Sequence, residues 1–258
     1  MANVLVCIKR VPETSGEILL TDDAMGVDAR HVGYTLSAHD ECAIELATQI
    51  AKATDGEATV LSLGSDDAVE QIRDALAVGC TAAIHVEADG TAYGPSDVAA
   101  AIAEVVRTRE AEGTSYDLVL VGNDAADTGD FQVGVRLAYA LGRPVLTGIN
   151  TVEVTADERV IAKGKGPDGT EVYELPLPAV IAVSEGGVEP RYPTIPGRMK
   201  AKRTPIEAIP SPVQAAGTGR VRLELPPAQP SVVEILGTGP EAAPAVVDLL
   251  YRLGVVAK

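Results

Sequence analysis

Four short runs rich in β-branched and aliphatic residues, VLVCI (4–8), EATVLSL (57–63), AAIHVE (82–87) and DLVLVG (117–122), alternate with Ala-rich stretches of helical length. Strand and helix in rotation is the pattern of βαβ units, in which each helix crosses back over a growing parallel sheet. Apolar periodicity predicts the helices at about 40–53, 66–78, 95–111 and 131–141. The fold class that follows is α/β, a mostly parallel twisted sheet flanked by helices. Every run is followed by a loop and then a helix, so the loops gather at the carboxyl edge of the sheet, where open α/β sheets bind ligands.

The residues available for a core suit such a sheet. The chain has no Trp and one Phe, so its interior is built from Ala, Val, Leu and Ile, which fill strands covered by helices on both faces. A net charge of −16 argues against a broad nucleic-acid-binding surface, which needs a basic face to neutralise phosphates. Cys7, Cys42 and Cys80 follow no CxxC or Cys/His ligand spacing. Buried free thiols in a reducing, cytoplasmic compartment fit them best. No apolar stretch is long enough to span a bilayer, and the first residues reach charge too soon for a signal peptide, so a protein not embedded in a membrane is expected.

Beyond residue 145 the pattern changes. Residues 146–183 alternate apolar and polar side chains around DG turns, which predicts antiparallel strands ending in a buried run at 179–183. Residues 206–235 are rich in Pro, Ala, Gly and Gln and read as an extended arm. The arm ends in a short amphipathic helix with Val246, Leu249, Leu250 and Leu253 on one face. The expected organisation is an α/β domain over 1–205 and a C-terminal arm and helix over 206–258 that docks either on its own domain or on a partner subunit.

Three stretches can carry chemistry. VGNDAADTGDFQVG (121–134) follows a predicted strand and opens a predicted helix, a place where backbone N–H groups meet phosphates. It is neither a GxGxxG motif nor a P-loop, and an ordinary turn capped by Asp127, Thr128 or Asp130 explains it equally well. Asp124, Asp127 and Asp130 lack the EF-hand spacing for a metal. SAHDECAIELA (37–47) begins a helix that Ser37 or Asp40 can cap, and His39 reads more readily as a solvent-facing residue than as a base or ligand. His31 has less to recommend it, and His85, inside a predicted strand, reads as a hydrogen-bonded core residue. CIKRVP (7–12) sets Lys9 and Arg10 at the carboxyl edge, to meet either a phosphate or the protein's own acids. No nucleophilic elbow, Ser/His/Asp order or zinc pattern is present, which favours a binding or carrier role over a self-contained enzyme. A fourth feature is EPRYPTIPGRMKAKRTP (189–205), with five basic residues against one acid in an acidic chain.

That last segment carries a resemblance. LPAVIAVSEGGVEPRYPTIPGRMKAKRTPIE (177–207) is similar to the region that marks the β subunit of electron transfer flavoproteins. VLVCIKRVP near the start, DECAIELA on the first helix, IRDALAVGCTAAIHV (72–86) and VGNDAADTGDFQVGVRLAYALGRP (121–144) agree with the family in order and spacing. The resemblance implies a heterodimer whose α subunit holds most of a redox-active FAD. It implies for this chain a Rossmann-like, adenine-nucleotide-binding domain that buries AMP, or a second FAD in electron-bifurcating members. The nucleotide contacts it implies are Cys7, then Ser37, Ala38, His39 and Asp40, then Leu63. They continue through Val121, Gly122, Asn123, Asp124, Ala125, Asp127, Thr128, Gly129, Asp130, Phe131, Gln132, Val133 and Gly134.

This chain departs from the family at Ser37-Ala38, where Asn-Pro is usual, and at Asp130, where bifurcating members place a Thr against the cofactor. A carboxylate beside a pyrophosphate is unfavourable, so AMP is the expected ligand. The resemblance further implies a recognition loop over 184–205 that anchors Ile195 in a pocket on flavin dehydrogenases, with Tyr192, Pro196, Met199 and Lys200 around it. Electrons would pass from such dehydrogenases to the α-bound FAD and on to a quinone oxidoreductase or another acceptor. Two rival expectations are an electron-bifurcating β subunit that oxidises NADH and a stand-alone adenine-nucleotide-binding regulatory domain.

Overall fold

A computed structural model describes residues 1–13, 15, 17–30, 32–227 and 233–256. In chain order its elements begin β1 (Val4–Ile8), β2 (Val11–Pro12), β3 (Tyr34–Thr35), α1 (Ala38–Ala53) and β4 (Ala58–Gly64). A 3-10 turn (Asp66–Ala68) runs into α2 (Val69–Val78), followed by β5 (Ala82–Glu87), α3 (Pro95–Ala111), β6 (Leu118–Gly122) and α4 (Val133–Leu141). The second half holds β7 (Val145–Val154), β8 (Arg159–Gly166), β9 (Gly169–Pro176), β10 (Ala179–Val183), α5 (Ile195–Arg203) and β11 (Glu207–Pro210). A second 3-10 turn (Gly239–Ala242) leads into α6 (Ala243–Arg252).

Nine strands form one sheet in the order β11-β5-β4-β1-β6-β10-β7-β8-β9, parallel from β11 to β7 and antiparallel beyond. Alternate residues of each central strand go to opposite faces, and both faces are buried. Val4, Val6, Leu118, Leu120 and Ile181 pack under α1 and α2 with Ile44, Leu46, Ile50, Ile72 and Leu76. Leu5, Leu61, Ile84, Val119 and Val180 pack on the other face against Ile102, Val105, Val106 and Leu137 of α3 and α4. Small aliphatic residues therefore supply the interior on both sides.

The structure differs from the sequence expectation in three places. The run 179–183 does not close an antiparallel set: β10 inserts between β6 and β7 and runs parallel to both. All five of its residues are buried, an environment an outer strand does not have. The basic segment is not wholly a loop, because 195–203 is helical. Thr194 caps it by accepting the Gly197 N–H at 3.1 Å, Pro196 falls in the first turn where no N–H is needed, and Lys200, Lys202 and Arg203 fall in the last turn, where cations complement the helix dipole. Residues 206 onward do not leave the domain at once, since β11 adds to the sheet beside β5.

The compact α/β unit extends over Met1–Leu223, past the division expected at 205. Tyr93 donates its hydroxyl to the Val213 carbonyl at 2.7 Å, and the Leu223 N–H reaches the Ala24 carbonyl at 2.7 Å. The second unit, Glu224–Lys258, contains the turn and helix α6, and Val246 and Val247 on that helix and Leu253 just after it are exposed. Among the described residues no helix is long and apolar enough to cross a membrane.

Candidate functional site

The chain builds β1, β4 and β5 outward in one direction and then returns through α3 to place β6 on the other side of β1. Strand order therefore reverses between β1 and β6, and the loops that leave their carboxyl ends diverge there, the position at which open α/β sheets hold ligands. Cys7 pairs with Leu61 on one side and Val121 on the other, so β1 and β6 end level with each other while β4 runs two residues past its last pair with β1, to Gly64.

Helix α1 brings its first turn to this reversal. Ser37 is its N-cap, and its Oγ accepts the Asp40 N–H at 3.1 Å. Asp40 is 4% exposed, and its carboxylate accepts the Lys9 N–H at 3.1 Å and a further backbone bond from Gly122. One buried carboxyl group thus ties the end of β1 to the end of β6. Gly122 is required here, because a β-carbon at that position would run into the Asp40 carboxylate. Burial pushes the Asp40 carboxyl up to about 7, against the pull of the two N–H groups, Ser37 and the Lys9 charge. Burial, with the nearby Asp40 charge, also pushes the Cys7 thiol far up, so Cys7 serves as packing and not as a nucleophile.

The loop 123–132 forms the other wall. Asn123 fixes its root, donating its N–H to Val183 at 2.8 Å and accepting the Gly148 N–H at 2.9 Å. Lys9 Nζ reaches across to Asp127 at 2.8 Å, while its neighbour Arg10 stacks 3.6 Å over the Tyr34 ring. The two basic residues of CIKRVP therefore meet an acid and an aromatic ring of this same chain. Asp124 Oδ1 is buried without a hydrogen-bond partner. Gly129 and Phe131 both have positive φ, 60° and 53°, which turns the loop sharply, and Phe131 is held there with its ring exposed.

None of Asp127, Thr128 or Asp130 caps α4, contrary to the sequence expectation. The N-cap is Gln132, whose Oε1 is engaged by Arg136 at 2.7 and 3.0 Å. The N–H groups of Val133, Gly134 and Val135 consequently have no acceptor among the described residues. Gly134 lets this helix end sit tightly on the sheet, because a β-carbon there would come within 3.0 Å of Val121 Cγ2.

Of the remaining expected contacts, Ala38 is exposed at the start of α1 and Leu63 is half-buried at the end of β4, on the same edge. His39 is half-buried instead of facing solvent, and its Nδ1 accepts the Glu185 N–H at 3.2 Å. His85 is buried and hydrogen-bonded, as expected, with Nε2 3.0 Å from the Gly64 carbonyl. His31 lies outside the described residues. Sequence reasoning missed the Asp40 carboxylate as a tie between strands, and it allowed Lys9 an acid of this chain without indicating that the acid is Asp127. No local pattern signals either one, because their partners are 31 and 118 residues away.

The basic segment presents a second surface. Arg191 roots it in α1 through two bonds of 2.7 Å to the buried Glu45 carboxylate and one of 3.2 Å to Thr48. Burial raises the Glu45 carboxyl, but hydrogen bonds from Arg191 and Gln49 outweigh it and leave the group below its ordinary range. Helix α5 then lies on α2, with Ala201 buried and Gly197 against the Ala77 carbonyl, too close for a β-carbon. Arg73 of α2 caps its end by donating to the carbonyls of Ala201 and Thr204. The outward side carries Tyr192 (92% exposed), Ile195 (78%) and Met199 (56%) beside Lys200. Pro196, Met199, Lys200, Arg203, Thr204 and Pro205 line a shallow concavity there.

A sheet whose strand order reverses between β1 and β6, with a helix N-terminus and a glycine-containing loop at the reversal, places the chain in the class of open, doubly wound α/β domains. Residues 25–214 match the electron transfer flavoprotein domain. The chain is 35% identical over 233 residues to an electron transfer flavoprotein subunit beta of Syntrophomonas wolfei, covering 90% of this chain and 89% of that one. It is 35% identical over 210 residues to that subunit of Homo sapiens (80% of each chain) and 30% identical over 249 residues to that of Megasphaera elsdenii (95% and 90%). The chain belongs to the electron transfer flavoprotein family, and its similarity there is to β subunits along most of its length.

Proposed function

We propose that this chain is the nucleotide-binding, partner-docking β subunit of a heterodimeric electron carrier, with AMP in the crevice at the β1/β6 reversal and FAD held mainly by the α subunit. The observation that carries the reading is the convergence of Cys7, Ser37–Asp40, Leu63 and 121–134 on one edge in a chain of this family. The groups present fit an adenosine monophosphate. The open N–H groups of the first turn of α4 suit a phosphate, and Lys9, paired with Asp127, brings a cation to the loop that precedes them. The unpartnered Asp124 Oδ1 suits a ribose hydroxyl donor. Asp127 and Asp130 in the same loop count against a second phosphate, which favours AMP over FAD here.

In this account AMP is structural, and the flavin of the α subunit supplies the electron transfer. This chain's residues shape its cavity and bring dehydrogenases close. Tyr192, Ile195, Pro196, Met199 and Lys200 form the docking surface, made of exposed apolar groups on a helix that Arg191 and Arg73 hold in place. Electrons arriving from flavin dehydrogenases pass on to a quinone oxidoreductase or another acceptor. Helix α6 and its arm serve the α subunit, and family membership supports that heterodimer over a stand-alone regulatory domain. Three buried free cysteines suit a reducing compartment such as the cytoplasm.

Anaerobic titration of the purified complex with NADH tests the carrier role. The flavin absorbance is expected to stay unchanged. Bleaching by NADH alone would replace AMP with a second flavin and make the complex a bifurcating one.

A further inference from the structure

We propose that Asp66, His85 and Glu87 form a binding site for one divalent transition ion, of which Zn2+ is the representative. His85 and Glu87 are two residues apart on β5 and so share a face of the strand. Asp66 opens the 3-10 turn directly after β4, whose last residue, Gly64, is paired in register with Glu87. One ring nitrogen of His85 and one oxygen from each carboxylate all lie within 4.8 Å of one another. The three side chains come from two strand ends that the parallel register brings together, so the fold itself sets their meeting.

The histidine is prepared for a metal. It is 2% exposed, and its Nε2 lies 3.0 Å from the Gly64 carbonyl. A carbonyl only accepts, so Nε2 donates to it and Nδ1 is the ring nitrogen left to bind a metal, an arrangement found beside protein-bound metals. The two carboxylates are free for it as well. Neither Asp66 nor Glu87 has a side-chain hydrogen bond or ion pair among the described residues, and both are exposed. Two unpaired acids held close in a chain of charge −16 repel each other, and a bound cation turns that repulsion into attraction.

Ligand bonds of about 2.0–2.2 Å require the three atoms to close on a common centre. The exposed carboxylates can turn to do so while the buried imidazole stays fixed. One imidazole with two carboxylates suits Zn2+, Co2+ or Mn2+ and disfavours Mg2+ and Ca2+, which take oxygen ligands. Water completes the coordination. The ion ties the turn after β4 to the end of β5, next to Leu63 and beside the crevice, and its binding does not depend on a nucleotide being there.

The test is titration of the tag-free, chelator-treated complex with Zn2+ against a chromophoric chelator, followed by thermal melting with and without the ion. Wild-type protein is expected to take one Zn2+ per chain and to melt at a higher temperature with it. Asp66→Asn and Glu87→Gln, both at the surface, are each expected to weaken binding at least ~10-fold and to lose the thermal shift. Millimolar Mg2+ is expected not to displace the ion. No saturable binding of one ion, or equal binding by the Asp66→Asn/Glu87→Gln double variant, overturns the site. These surface variants keep the test open even where substitution of the buried His85 prevents folding.

Discussion

The carboxylate of Asp40, on the first turn of α1, accepts the backbone N–H of Lys9 at the end of β1, 31 residues earlier, at 3.1 Å. Because it also bonds Gly122, this side chain joins the two strands between which the sheet reverses. Its burial has a consequence for the pH dependence of stability. The folded group ionises at about 7, whereas an unfolded aspartate does so near ~3.9. Its stabilising contribution is therefore whole below the unfolded value and declines as pH rises towards the folded one.

Substituting Asp40→Asn removes that titration. The stability of wild type relative to the variant is expected to fall between about pH 4 and 7 and to level off above that window. Denaturant unfolding of both proteins across pH 4–9, at roughly unit intervals, measures it. A constant difference across that range would show that Asp40 is ionised normally in the folded protein.

Gly122→Ala forces a methyl group against the same carboxylate. The strand ends must part or Asp40 must turn out, at a cost of about 1–3 kcal/mol. The complex is expected to unfold at lower denaturant concentration and to release its nucleotide faster on dilution. Unchanged stability and release would mean that the tie between β1 and β6 is not needed.

Arg191→Ala leaves the buried Glu45 carboxylate without its two guanidinium bonds. Fully buried pairs cost about 3–5 kcal/mol to break this way, but the Arg191 side chain is 47% exposed, so about 1–3 kcal/mol is expected. The loss should be largest at neutral pH. It should shrink as pH drops through the lowered Glu45 value, because the wild-type stabilisation present above the unfolded carboxyl value disappears there. Chemical denaturation at neutral and acid pH makes the comparison.

Ile195→Ala alters a side chain that is 78% exposed and should leave folding and nucleotide content unchanged. If the side chain is a docking anchor, the rate at which a dehydrogenase reduces the complex falls at least ~10-fold, chiefly through weaker association. Stopped-flow reduction at several complex concentrations separates association from electron transfer.

Much of the α/β frame is legible in the sequence, because long runs with strong periodicity carry their own signal. The predicted limits of α3 and β5 coincide with Pro95–Ala111 and Ala82–Glu87. Helix α5 is hidden because IPGRMKAKR is short, basic and flanked by prolines, and its stability comes from Thr194, Arg73 and contact with α2. The place of β10 is hidden for another reason. An apolar run states that it is buried, and only the sheet order states between which neighbours. At the candidate site the loops could be read, but the burial of Asp40 could not. An aspartate at the start of a helix usually signals a solvated cap, and here Ser37 takes that role.

One AMP in the crevice between β1 and β6 and one flavin per heterodimer is a stoichiometry open to direct count. Denaturing the purified complex and quantifying the released nucleotides per heterodimer tests it most directly. One AMP and one FAD are expected. Two FAD with no AMP, or no nucleotide beyond a single FAD, would contradict it.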